Sequence, residues 1–101
     1  MKVTMDPERN EIKALLKYAG NLAGKRVLEI GAGYGRLTWR YAAQAGQVLG
    51  IDPKPGQVAR ALGEMPPGLQ SRVTLLESSI EHYQSIHQGA PFDLALMSWS
   101  L

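Results

Sequence analysis

The sequence predicts an α/β fold in which a parallel β-sheet lies between two layers of helices. Short apolar stretches that suit strands alternate with stretches whose apolar residues recur at helical spacing. The strand candidates are largely continuous apolar runs, which is typical of parallel strands covered on both faces. The chain has 101 residues, enough for one domain of this kind. We therefore expect one three-layer α/β/α domain over residues 1–101.

The first predicted element is an amphipathic helix. Asp6 and Pro7 resemble an N-cap followed by a proline in the first helical position. Apolar residues then recur at helical spacing until Gly20, namely Ile12, Leu15, Leu16 and Ala19. Further helices are predicted over residues 35–45, 57–62 and 80–87, and strands over residues 27–30, 48–51, 73–76 and 92–97.

Composition argues against several classes of function. The 11 basic residues are scattered among 9 acidic ones, and phosphate-backbone binding requires a clustered positive surface, so we expect no nucleic-acid partner. The absence of cysteine excludes disulfides and cysteine-ligated metal, and no other metal-binding constellation is visible. Neither a signal peptide nor a membrane-spanning run is evident, so a soluble, cytoplasmic protein is expected.

Three glycines, Gly31, Gly33 and Gly35, follow the first predicted strand directly. At such a strand-to-helix turn, unpaired N–H groups at the helix start can bind an anion, and a side chain would keep the ligand from that backbone. Asp52 ends the second strand, where a ribose would present its hydroxyls. The combination predicts a nucleotide-binding site.

The glycine pattern bears on which nucleotide is bound. The third glycine of a dinucleotide fingerprint is replaced by Arg36, and the pattern here is G-x-G-x-G. Asp52 would repel the 2′-phosphate of NADP. Glu29, at the end of the first strand, requires a partner if it is buried, and a cationic ligand group would supply one.

Four segments then carry a resemblance to a known family. EIGAGYG (29–35) resembles the first motif, E/D-x-G-x-G-x-G, of the class I S-adenosylmethionine-dependent methyltransferases. GIDP (50–53), VTLLESSIE (73–81) and FDLALMSWS (92–100) resemble that family's second-strand acid, adenine-contacting region and fourth strand. The resemblance covers nearly the whole chain after the first helix and implies a Rossmann-like sheet with strand order 3-2-1-4.

The resemblance implies a role for each matching residue in binding S-adenosylmethionine. The loop Gly31–Gly35, with Ala32 and Tyr34, would pass over the methionine part, and Glu29 would hold its ammonium, directly or through water. Asp52 would accept hydrogen bonds from both ribose hydroxyls, and Pro53 would lie against the adenine.

Three further positions complete the implied site. Ser79 stands where the family often has an aspartate or asparagine that reaches the adenine amino group, and it could equally cap the following helix. The N–H of Ile80 would meet a ring nitrogen. Ser98, together with Trp99 and Ser100, would line the pocket where donor and acceptor meet.

The implied activity is methyl transfer, and we expect a small-molecule acceptor. MSWS (97–100) differs from the asparagine-proline-proline-aromatic motif of many methyltransferases that act on nucleic-acid bases. No catalytic base can be assigned, because His82 and His87 are expected on a solvated helix. The alternative is a non-catalytic or degenerate S-adenosylmethionine-binding module that acts through a partner.

The resembling family continues its sheet past the fourth strand, whereas this sequence ends at Leu101. We therefore expect the fourth strand to be an open, apolar edge, which invites pairing. The chain would then be the cofactor-binding half of a longer protein, or a fragment that self-associates through that edge.

Overall fold

Five parallel strands form one sheet in a computed structural model that describes residues 2–6, 22–86, 89 and 91–98, with residues 2–6 and 98 as backbone. The strands are β1 (Lys2–Asp6), β2 (Arg26–Ile30), β3 (Gln47–Asp52), β4 (Val73–Glu77) and β5 (Leu94–Ser98). The described helices are α1 (Thr38–Tyr41), which continues as a 3₁₀ turn over Ala42–Gln44, α2 (Gln57–Glu64) and α3 (Ile80–Ile86).

The strand order is β1-β5-β2-β3-β4, and every neighbouring pair is parallel. The four strands expected from the sequence are β2 to β5, and their expected order, 3-2-1-4, is confirmed. Their bounds differ from the expected ones by one or two residues. The Rossmann-like, parallel α/β architecture is thus confirmed for the described residues.

Two apolar clusters show how the layers pack. Residues of α1 and α2, including Tyr41 and Ala61, share one cluster with Val27 and Val48 of the sheet. Tyr83 of α3 shares the other with Leu28, next to Val27 in β2, and with Ile51, three residues after Val48 in β3. Each of these two pairs is an odd number of residues apart. Since neighbouring residues of a strand point to opposite faces, α1 and α2 cover one face of the sheet and α3 lies on the other.

The open edge expected at the fourth strand is absent, and that prediction was wrong. Residues 2–6 form β1, which pairs with β5 along its whole length, from Lys2 opposite Leu94 to Asp6 opposite Ser98. β1 therefore supplies a neighbour for the backbone groups that an edge would leave unpaired. The expectation of self-association through this edge loses its basis.

The start of the first predicted helix also needs correction. Asp6 lies in β1 and is not an N-cap in the structure. Pro7 explains the extended backbone, because a proline disfavours the helical region for the residue before it. The remainder of that predicted helix, including Ile12 to Ala19, lies outside the described residues.

The second predicted helix is shorter than expected. The α-helix begins at Thr38 instead of residue 35, because the segment from Gly31 to Leu37 forms turns. The apolar face expected for it is nevertheless buried, with Leu37, Tyr41, Ala42 and Ala45 all in the core. The third helix extends two residues further than expected, to Glu64, and the fourth matches the expectation up to Ile86.

Among the residues that the structure describes, no helix is both long and apolar enough to cross a bilayer.

Candidate functional site

The carboxyl ends of β2, β3 and β5 meet at one edge of the sheet. Ile30 pairs with Ile51 on one side and with Met97 on the other. The glycine loop therefore follows β2 where Asp52 ends β3 and Ser98 ends β5. β2 and β5 flank the point where the strand order reverses, which is where ligands bind in open α/β sheets. The residues expected to bind the cofactor are thus at the position that the fold favours.

The glycine loop adopts a conformation that glycine favours and other residues disfavour. Gly31, Gly33 and Gly35 have φ angles of 80°, 60° and 92°, all in the left-handed region. The N–H groups of Gly31 and Ala32 both donate to the Ile51 carbonyl, at 2.9 and 3.0 Å. The loop is therefore held against β3 by its own backbone.

This hydrogen bonding changes the role expected for the loop amides. We expected unpaired N–H groups at a helix start, but the N–H groups from Gly31 to Gly33 and that of Gly35 bond within the protein. Helix α1, with four α-helical residues, is also short. The amides of these four residues are therefore not available as a set of unpaired donors, and the role expected of the loop rests on its shape.

Asp52 is the acceptor at the centre of this site. Its Oδ2 accepts a 2.8 Å hydrogen bond from the Gly33 N–H, and its Oδ1 accepts another, also 2.8 Å, from the Lys54 N–H. The residue is 6% exposed. Because an ionised carboxylate has about four lone-pair positions, each oxygen retains capacity for a further donor. The carboxylate is thus fixed in orientation and still able to accept.

Glu29 has partners that the sequence analysis did not identify. Its Oε1 accepts hydrogen bonds from the hydroxyls of Thr38 and Tyr41, each 2.7 Å long, and the residue is 0% exposed. These two hydroxyls offset part of the cost of burying the carboxylate. In this conformation Glu29 joins β2 to α1, and its contact with a ligand ammonium, directly or through water, stays a prediction.

The pKa of Tyr41 is raised well above its ordinary value of 10.0. Burial is the largest cause, followed by the charge of Glu29 and by the hydrogen bond that the phenol donates to it. Tyr41 therefore remains a neutral donor to the Glu29 carboxylate.

Tyr34 and Trp39 pack beside the loop on the face of the sheet that α1 and α2 cover. The Tyr34 ring packs against the larger apolar cluster, and the Arg60 guanidinium lies 3.9 Å from the ring centroid. A Cβ atom on Gly35 would approach the Trp39 indole to 2.4 Å. Tyr34, which was expected only to be part of the loop, thus also contacts Arg60 of α2.

The residues expected near the adenine lie at the carboxyl ends of β3 and β4. Pro53 is exposed, whereas Ser79 and Ile80 are half-buried. Ser79 Oγ accepts a 3.0 Å hydrogen bond from the His82 N–H. The capping role of Ser79 is therefore confirmed, and its contact with a ligand stays a prediction.

Ser98 ends β5 at this same edge, and Trp99 and Ser100 lie outside the described residues. His82 is exposed on α3 and His87 lies outside the described residues. Within the described part of the chain, no group of histidines and carboxylates is arranged to hold a metal ion.

Four residues whose contacts lie around this edge were not predicted from the sequence. Thr38 and Tyr41 are three residues apart on α1, so their side chains lie on the same face of the helix. That spacing, with Glu29 nearby, was the sequence signal that could have predicted their hydrogen bonds to Glu29. Glu77 lies opposite Asp52 in register, and its Oε1 accepts a 3.2 Å hydrogen bond from Gly56 N–H at the start of α2. Nothing in the sequence alone indicates that Arg60 contacts Tyr34.

Comparison with known proteins agrees with this geometry. A family model described as a methyltransferase domain matches residues 27–101. Over 45 residues, the chain is 49% identical to phosphoethanolamine N-methyltransferase 1 of Triticum aestivum. That alignment covers 45% of this chain and 8% of the wheat protein, so the chain spans a small part of that relative.

Solved structures share the fold. Magnesium protoporphyrin IX methyltransferase from Synechocystis, with bound S-adenosylmethionine, aligns with a TM-score of 0.67 and 23% identity over 87% of this chain and 41% of that chain. An S-adenosylmethionine-dependent methyltransferase from Mesorhizobium loti aligns with a TM-score of 0.63 and 26% identity, over 88% of this chain and 39% of that chain. The chain spans less than half the length of these neighbours.

Proposed function

The chain belongs to the methyltransferase domain family, and we propose that it binds S-adenosylmethionine at the carboxyl edge of its sheet for methyl transfer to a small-molecule acceptor. The observation that carries this proposal is the Asp52 carboxylate. It is fixed by two main-chain donors beside the glycine loop and retains one acceptor position on each oxygen.

The residues present fit this cofactor. A ribose offers two neighbouring hydroxyl donors, which match the two remaining acceptor positions of Asp52. The exposed Pro53 offers an apolar surface to the adenine, with Ser79 and the Ile80 N–H on the adjoining strand end. Gly31 and Gly33, which have no side chain, allow a ligand to approach the loop backbone closely, whereas the space beside Gly35 is filled by Trp39.

S-adenosylmethionine supplies an already activated methyl group on a sulfonium, so the protein's main task is to hold donor and acceptor in line. Asp52 orients the ribose, and the glycine loop positions the methionine part. Glu29 acts through α1, because its hydrogen bonds to Thr38 and Tyr41 fix the helix that follows the loop. Ser98 lies on the acceptor side, at the end of β5.

Relatives support a small-molecule acceptor. The wheat relative is named for phosphoethanolamine and the Synechocystis neighbour for magnesium protoporphyrin IX, and both are small molecules. The non-catalytic alternative is not favoured, because the relatives named here are methyltransferases. A cytoplasmic location and the lack of a nucleic-acid partner stay predictions.

Calorimetric titration of the intact protein tests the cofactor assignment. We expect S-adenosylmethionine and S-adenosylhomocysteine to bind in the micromolar range or tighter, with NAD at least tenfold weaker because Arg36 replaces the third glycine of a dinucleotide loop. A preference for NAD would refute the proposal. Binding without turnover, across amine, hydroxyl and carboxylate acceptors, would support the non-catalytic alternative.

A further inference from the structure

Arg60 contacts the glycine loop through one aromatic ring. Its Cζ lies 3.9 Å from the centroid of Tyr34, within the range of a cation–π interaction. On its other side, Arg60 Nε donates a 3.0 Å hydrogen bond to Glu64 Oε1, one helical turn further along α2. The guanidinium thus connects α2 to the loop that follows β2.

Tyr34 is well placed to control the loop. It stands between Gly33 and Gly35, both at positive φ and both without a side chain, so its ring supplies the side-chain contact of this part of the loop beside the main-chain hydrogen bonds. The preceding residue, Gly33, donates its N–H to Asp52 Oδ2. A change in the position of the Tyr34 ring therefore shifts the neighbouring Gly33 amide, which is hydrogen-bonded to the Asp52 carboxylate.

We propose that Arg60 is a positioning residue for the cofactor. By holding the Tyr34 ring, it keeps Gly33 hydrogen-bonded to Asp52 and so keeps the carboxylate oriented toward the ribose, without touching the ligand itself. This inference rests on the proposed function. It predicts that cofactor affinity depends on a residue of α2 that points at the loop and not at the ligand.

Three variants separate this role from a general effect on α2. Arg60→Met removes the cation and keeps a long side chain, and we expect affinity for S-adenosylhomocysteine to fall roughly two- to fivefold. Arg60→Lys keeps the positive charge and should lose less of that affinity than Arg60→Met. Glu64→Gln is the matched control, because it removes only an exposed ion pair, which contributes little, and its affinity should equal that of the parent protein.

A double-mutant cycle tests whether Arg60 acts through the ring. Once Tyr34 is replaced by leucine, the further change Arg60→Met should have little effect on affinity, because the interaction is already lost. Equal, additive losses in the two backgrounds would overturn the inference.

Amide hydrogen exchange without ligand gives a second, independent readout. Arg60→Met should speed exchange of the Gly33 amide, which donates to Asp52. It should not affect the Asp93 amide, which donates to the Arg26 carbonyl at the opposite edge of the sheet.

The outcomes distinguish the two proposals. If the parent protein binds no S-adenosylhomocysteine, the proposed function fails. If the parent binds and Arg60→Met binds equally well, or if both amides exchange faster together, the inference about Arg60 fails and the proposed function stands.

Discussion

Glu29 illustrates how burial decides the role of a single residue. A carboxylate at 0% exposure needs hydrogen-bond partners, and two hydroxyl donors on α1 are among those of Glu29. A motif match indicates that an acid is needed at this position. Its Oε1 atom accepts from Thr38 and Tyr41, and its contact with a ligand stays a prediction.

The bond between Tyr41 and Glu29 should make a measurable contribution to stability. Tyr41→Phe removes a donor to a buried carboxylate, and we expect the free energy of unfolding to fall by about 2 kcal/mol, measured by urea denaturation. Tyr34→Phe is the matched control, because no hydrogen bond of its hydroxyl is described, and it should change stability much less. Equal effects of the two changes would contradict the assignment.

The raised pKa of Tyr41 also predicts a pH dependence of stability. In the unfolded chain a tyrosine loses its proton near pH 10, whereas folded Tyr41 retains it to higher pH. Above about pH 10 the unfolded state therefore binds fewer protons, so this stabilisation, complete below that pH, is lost as pH rises toward the folded pKa.

Thermal unfolding between pH 8 and 11 measures this effect. The fall in Tm above about pH 10 should be shallower for Tyr41→Phe than for the parent protein. Burial also raises the pKa of Tyr83, with the charge of Arg26 opposing, so a smaller slope in the same direction should persist in the variant. Parallel curves for the two proteins would contradict the account.

At the scale of elements, the glycine loop combines backbone conformation with crowding. Gly35 and Gly56 have similar φ angles, 92° and 87°, but different surroundings. A Cβ atom on Gly35 would lie 2.4 Å from the Trp39 indole, whereas a Cβ on Gly56 would meet nothing within 4 Å. The two positions therefore separate backbone strain from steric conflict.

Alanine at each position should cost a different amount. Gly56→Ala carries only the left-handed strain and should lower the free energy of unfolding by about 1 kcal/mol. Gly35→Ala must also displace the Trp39 indole. It should lower the free energy of unfolding by about 2–4 kcal/mol and shift the tryptophan emission. Equal losses and unchanged emission would show that the loop is not packed as described.

The order of the elements was largely predictable, and their contacts were not. Continuous apolar runs identified β2 to β5, and glycine or proline marked most of the boundaries. The alternation in residues 2–6 is short and ends in an Asp-Pro pair that also suits a helix start, so β1 was missed. The positions of Asp52 and the glycines were predictable from spacing, but the Gly33–Asp52 and Arg60–Tyr34 contacts depend on tertiary structure.

At the scale of the whole molecule, β1 extends the sheet beside β5. Its five residues pair with all five residues of β5, so β5 has a neighbour on each side. This places the carboxyl end of β1 at the same edge as the glycine loop and Asp52.

Two proline substitutions test whether β1 pairs in solution. Successive N–H groups of a strand point in opposite directions, so of Val3 and Thr4 only one donates toward β5. Proline at that position should lower the free energy of unfolding by about 1–3 kcal/mol, and proline at the other position should lower it less. If both variants matched the parent protein in thermal unfolding, the pairing would be refuted.

The affinity of Asp52→Ala for S-adenosylhomocysteine, measured by titration calorimetry, tests the central claim most directly. Loss of the acceptor for both ribose hydroxyls should weaken binding by roughly tenfold or more, since hydrogen bonds to charged groups contribute about 1.5–3 kcal/mol each. Glu77→Gln removes the same charge one strand away and should bind nearly as well as the parent protein. A folded Asp52→Ala variant with parental affinity would contradict the account.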